Sequence, residues 1–134
     1  MIQFLPTSTD DLPQLTEWIA LDPDHAGKMA AAWWMQGQIL SCRVEDGMGP
    51  VMYLRIDREG MMARLHIQFG PVAKSRIARA FIDGIPRMKS MLVGSHYTAM
   101  IFESVSESLI SFMGQMGFLC YEGNDYVMKL EVAV

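Results

Sequence analysis

Apolar and polar residues change their period several times along this chain, and each change marks an element. Ile2 to Leu5 is a short β-like run closed by Pro6. Leu12, Leu15 and Ile19 then recur at i, i+3 and i+7, the apolar face of a helix. Thr9, Asp10 and Asp11 are N-cap residue types, Pro13 fits a first turn, and Leu21-Asp22-Pro23-Asp24 ends the helix. Lys28 to Trp34 (KMAAAWW) reads as a second short helix. From Gly37 the pattern turns to strands: Ile39 to Val44, Val51 to Asp57 and Met61 to Phe69, separated by turn residues at Asp46-Gly47, Gly49-Pro50 and Arg58-Glu59-Gly60. On the third, Ala63, Leu65, Ile67 and Phe69 face one way, and Arg64, His66 and Gln68 the other.

Beyond Gly70-Pro71 a helical period returns, with Ile77, Ala80, Phe81, Gly84, Ile85 and Met88 on one face. Pro86 lies inside it and removes the hydrogen bond to Ile82, which predicts a kink or break near Gly84 to Pro86. Ala99 to Phe102 has the continuous apolar character of a buried central strand. Ser106 and Glu107 cap a helix that presents Leu109, Ile110, Met113 and Met116 inward and stops at Gly117. Phe118 to Tyr121 and Tyr126 to Val132 close the chain as a hairpin. The order is β, one or two α, βββ, α, β, α, ββ: an α/β chain with a meander.

Composition narrows the picture. The 134 residues, 51% hydrophobic and 19% charged, suit one domain over 1–134. Such a chain buries roughly two-thirds of its unfolded surface and needs no disulfide or metal to hold it. No apolar run is long enough for a bilayer, and the start has no basic region before its apolar stretch, so neither a membrane anchor nor a signal peptide is expected. Net charge is −4 with the basic residues dispersed, which disfavours nucleic acid as a partner. Cys42 and Cys120 fit no metal-ligand spacing and read as small hydrophobes in a reducing, cytoplasmic setting. The 13 methionines read first as core fillers.

Two stretches carry a resemblance. Val105 to Leu130 is a helix ending in Gly-Phe followed by a hairpin whose last strand reads YVMKL, and Phe69-Gly70-Pro71 joins the third meander strand to a helix. With the element order, these resemble the GNAT acetyltransferase superfamily over essentially the whole chain. The resemblance implies a mixed, mostly antiparallel central sheet flanked by helices and an N-acetyltransferase using acetyl-CoA on a small-molecule or protein amine acceptor. A homodimer through the C-terminal hairpin is a further implication. In such a fold the strand-to-helix loop aims backbone N–H groups and a helix dipole at the cofactor pyrophosphate. The corresponding residues are Phe69 at the junction and Val72 to Ala80, VAKSRIARA. Lys74 and Ser75 stand where Arg and Gly are common, and Ile77 and Ala78 match the last two motif positions after a one-residue deletion. The first motif glycine has no counterpart, and Arg76 falls near its place. Lys74, Arg76 and Arg79 oppose the helix dipole, which suits either a phosphate rim or ordinary surface salt bridges.

The acid–base positions also depart from the family. Met113 stands where a tyrosine is common, four residues before Gly117, and the third meander strand offers Arg64 and His66 but no carboxylate. His66 is the remaining candidate base, because imidazole titrates near neutral pH. Glu103, at the carboxyl end of the predicted central strand, is the second. Each also has a structural reading, His66 as a bonded or solvent-facing imidazole and Glu103 as a helix-capping or salt-bridging carboxylate. Trp18, Trp33 and Trp34 are core residues first and acceptor-pocket residues second. His25 and His96 fall in loops. Two functions stay open: an acetyltransferase with a divergent phosphate loop, or a GNAT-like domain that serves as a binding or assembly module.

Overall fold

Strand β1 (Gln3–Pro6) is followed by a 3-10 turn over Thr9–Asp11 and helix α1 (Leu12–Leu21) in a computed structural model that describes residues 2–38 and 40–130. The Ser8 N–H donates to Asp11 Oδ2 at 2.8 Å, so the start of this segment is fixed by its own side chain. Strands β2 (Leu40–Asp46), β3 (Gly49–Glu59) and β4 (Met62–Phe69) form the meander, and helix α2 (Lys74–Leu92) follows. Strand β5 (Ala99–Glu103), helix α3 (Glu107–Gln115), β6 (Leu119–Glu122) and β7 (Asp125–Lys129) complete the chain. Ile39, expected to open the first meander strand, and Glu131 and Val132, expected in the last strand, lie outside the described residues.

The seven strands form one sheet in the order β1-β2-β3-β4-β5-β7-β6. Every neighbouring pair is antiparallel except β4 and β5. The fold is therefore α/β, with a mixed, mostly antiparallel sheet. Its period-2 side chains divide between two cores. On the first face, Cys42, Val44, Met52, Leu54, Ile56, Ala63, Leu65, Met100, Phe102 and Met128 pack beneath α2 and α3. On the second, Tyr53 packs with Leu15, Trp18, Ile19 and Trp34 from α1 and the 3-10 segment. Strand β3 is buried on both faces from Val51 to Ile56 because helices cover both. Five methionines (Met52, Met88, Met100, Met113 and Met128) lie in the first core, as gap-filling predicts.

Three local readings are corrected. Helix α2 runs unbroken through Pro86. The carbonyl that proline leaves unpaired belongs to Ile82, which is exposed, so water can bond it. Gly84, Ile85 and Met88 meanwhile hold both sides of the proline in the core. The KMAAAWW segment forms only a 3-10 helix, Ala31–Met35, because Ala30 at its N-cap offers no side-chain acceptor. Cys42 is buried, and burial pushes its thiol up to about 11, whereas Cys120 stands exposed on the edge strand β6 rather than in a core. Among the described residues, no helix is long and apolar enough to cross a membrane.

Candidate functional site

The parallel pairing of β4 with β5 is short: Met62 with Ala99, Ala63 with Met100 and Arg64 with Ile101. Past Arg64 the ladder ends while β4 continues to Phe69, so the carboxyl ends of the two central strands part. Arg64 closes the neck of this gap, donating to both oxygens of Asp125 at 3.0 Å and to Glu59 at 2.9 and 2.8 Å. These carboxylates raise its already high pKa, so it is a fixed cation.

Beyond the gap the chain turns straight into α2. Phe69 packs edge-to-face on Phe81, with ring centroids 5.9 Å apart. The Gly70 N–H donates to the Val51 carbonyl, and the Val72 N–H to the Gly70 carbonyl, each at 2.9 Å. Gly70 is required by space: a Cβ there would lie 2.7–2.9 Å from the Trp18 indole. Val72 and Ile77 are half-buried against the first core, Ala78 is half-buried, and Lys74 and Ser75 are exposed in the first turn. The N–H groups of Lys74 and Ser75 have no acceptor within the helix. Arg76 turns away from that end, donating to Asp46 at 2.8 and 2.9 Å on the β2–β3 turn. The Arg76 guanidinium holds the Asp46 carboxyl down at about 2. Val72 to Ala78 thus form one loop and helical turn at the end of β4, with Arg76 tied to the sheet.

On the second face, His66 is half-buried with Nε2 3.2 Å from Asp57 Oδ2, and Trp33 meets its ring edge-on at 5.0 Å. Asp57 is held in turn by Arg55, at 2.8 Å from Nε and 2.9 Å from Nη2. Arg55 is itself buried, stacks 3.7 Å from the centre of the Trp33 ring, and donates to the Trp33 and Gln36 carbonyls. Burial pushes the imidazole of His66 below its ordinary value, against the pull of Asp57, so it is neutral at neutral pH. Glu103 is exposed at the end of β5. Continuing the register of Arg64 with Ile101 puts it on the same face as His66, on the other side of the gap. Met113 is fully buried in the first core and offers no proton there.

The sequence did not single out two polar clusters on this face. Asp11, buried in α1's lead-in, accepts from Arg43 at 2.6 Å and from the Tyr53 hydroxyl at 2.8 Å. Burial alone would raise this carboxyl, but bonds from Ser8, Arg43 and Tyr53 outweigh it and hold the group below its ordinary value. Gln68, completely buried, meets His25 Nδ1 at 2.7 Å and Asp22 Oδ2 at 3.2 Å. Only the proximity of Asp22 and His25 in one turn was visible in sequence; their partner lies 43 residues from His25. A pocket of roughly 260 Å³ adjoins them, lined by Trp18, Leu21, Asp22, Phe69, Gly70 and Pro71.

No protein-family model matches the chain, and no curated protein does. Solved structures do. The ribosomal-protein-S18-alanine N-acetyltransferase from Escherichia coli is similar with a TM-score of 0.74 at 13% identity, over 100% of this chain and 97% of its own. An acetyltransferase of the GNAT family from Staphylococcus aureus Mu50 gives 0.74 at 10% identity, over 98% and 100%. The PaiA N-acetyltransferase from Thermoplasma acidophilum, in complex with coenzyme A, gives 0.59 at 15% identity, over 96% and 98%. At such identities the likeness is one of fold: this chain has the GNAT fold along its whole length.

Proposed function

We propose that the protein is an N-acetyltransferase that takes its acetyl group from acetyl-CoA and passes it to an amine. The observation that carries this reading is the parting of β4 and β5 after three residue pairs, immediately before the chain turns into the N-terminus of α2. That arrangement leaves a slot in the sheet with unpaired N–H groups and a positive helix end beside it. The fit to the cofactor rests on those groups: the Lys74 and Ser75 N–H groups and the exposed Lys74 ammonium would hold its phosphates, with Phe69, Val72, Ile77 and Ala78 as apolar walls. Acetyl-CoA, when bound, supplies an activated thioester carbonyl. The chain supplies the rest. His66, neutral and backed by Asp57, accepts a proton from the acceptor nitrogen as that nitrogen is acylated, and Glu103 borders the other side of the slot.

A second reading, a binding module without catalysis, is favoured by one observation: Arg76 near the missing glycine is clasped by Asp46 rather than free to meet an anion. Isothermal titration with acetyl-CoA separates the two. Micromolar binding is expected, weakened about tenfold by Lys74→Glu. The variant should fold normally, since an acidic residue suits a helix N-terminus. No heat at millimolar acetyl-CoA would leave the binding module as the better reading.

A further inference from the structure

The second face of the sheet is covered on one side of the slot and bare on the other. Over β3 and β4 lie α1 and the 3-10 segment, with Tyr53 in the second core and His66 under Trp33. Across the slot, the pairing of Arg64 with Ile101 puts Ile101 and Glu103 on that same face. Ile101 pairs with Val127 and Val127 with Leu119, so three apolar residues form a row across β5, β7 and β6. Ile101 is buried, Val127 half-buried and Leu119 70% exposed, so the row grows barer toward the sheet edge. Among the described residues, neither core includes any of the three.

A second row lies next to it. Glu103 pairs with Asp125 and Asp125 with Glu122, so three carboxylates stand side by side on the same face. Like charges directly opposite one another destabilise a sheet. Arg64 donates to both Asp125 oxygens and to Glu59, which leaves the exposed Glu103 and Glu122 without an ion pair among the described residues. Lys129 stands on the far side of the apolar row. A repulsion kept in the sheet and an apolar row left bare beside it call for one complement, positive charge joined to apolar surface. The charge also decides between occupants. A second copy laid face to face would set carboxylates against carboxylates, and nucleic acid or an anionic membrane would be repelled.

We propose that the β5–β7–β6 half of this face is a docking surface for a basic segment of another protein that also carries apolar residues. Lys or Arg side chains of the segment meet Glu103 and Glu122, and an adjoining apolar side chain covers Leu119 and Val127. Arg64 holds Asp125 and so orders the middle of the acidic row. The surface goes beyond the acyl-transfer reading and does not depend on it: it needs no cofactor and serves a binding module equally well. Its charges lie in water, so the association is salt-sensitive.

The test uses the whole protein labelled with nitrogen-15, without acetyl-CoA, and reads backbone amide shifts. The probe is the peptide Lys-Lys-Leu-Leu-Lys-Lys, blocked at both ends, with Glu-Glu-Leu-Leu-Glu-Glu and Lys-Lys-Ser-Ser-Lys-Lys as its counterparts. The first should shift Glu103, Leu119, Glu122 and Val127 saturably, the acidic peptide should leave them unmoved, and the serine peptide should bind about tenfold more weakly. Glu122→Lys should weaken the first peptide about fivefold. Glu122 is exposed, so the variant keeps the fold, which unchanged shifts in β2 and β3 verify. Saturable shifts centred on other elements, equal responses to both charges, no response at millimolar peptide, or an unchanged affinity in the Glu122→Lys protein overturns the proposal. So does a dimer in sedimentation velocity that Leu119→Asp abolishes, because the face then belongs to a second copy. Acetyl-CoA is titrated separately. Its binding without a peptide response sinks the docking surface alone, and a peptide response without acetyl-CoA binding supports the surface and sinks the acyl-transfer reading.

Discussion

At Gly70 a hydrogen is the largest substituent the fold allows. The Trp18 indole that would meet a Cβ at 2.7–2.9 Å is buried and set edge-on to Tyr53 at 5.4 Å, so it has little room to yield. Gly70→Ala should lower stability by about 1–3 kcal/mol in urea unfolding, with a weaker response to any ligand of the adjoining pocket. His66 gives a second expectation. Its pKa is held below the ordinary 6.5, so the unfolded chain binds its proton first as pH falls. The stability it contributes is complete above 6.5 and is lost on acidification through its folded value. His66→Gln should flatten the stability–pH curve over that window, and unchanged curvature would place the titration elsewhere. His66 could be picked from sequence by its polar neighbours Arg64 and Gln68, but not its cover. The alternation suggested a wet face, whereas Trp33 and α1 lie over it, and Gln68 is the most deeply buried polar side chain described.

At the scale of elements, the period of apolar residues located nearly every strand and helix because most of them bury one face. Helix α2 shows where that logic stops. Pro86 promised a kink or break, and whether a proline breaks a helix depends on which carbonyl it orphans and what surrounds it, which is tertiary information. Here the orphan stands on the solvent side. Pro86→Ala should keep the helical circular dichroism and raise stability by about 1–2 kcal/mol, because the hydrogen bond the helix gains outweighs the freedom the unfolded chain regains. A lower midpoint would mean that the packing of Gly84 and Ile85 depends on the proline. The N-terminal turn of α2 was legible as a basic helix start, yet the destination of Arg76 was not, because Asp46 is 30 residues away on another turn. The cluster of Asp22, His25 and Gln68 was missed for the same reason.

For the whole molecule, the order of elements was enough to point to the GNAT fold, while identities of 10–15% explain why sequence matching finds no relative. Fold survives such divergence because it needs only apolar periodicity and turn residues. A site needs particular side chains, and at Met113 and Arg76 the chain offered the sequence reading no match to the residues that the resemblance implies there. The brief pairing of β4 with β5 has a consequence apart from any ligand. It divides the sheet into β1–β4 and β5–β7, and the backbone joins them through three residue pairs, against five between β5 and β7. The two blocks should therefore open separately. In native-state hydrogen exchange, the amides of β5 and β7 are expected to exchange together through an opening about 1–3 kcal/mol less costly than that of β2 and β3. A single opening energy for all four strands would show that α2 and α3 weld the blocks into one cooperative unit. Otherwise this protein carries a line of cleavage through its middle, along which it can breathe without unfolding.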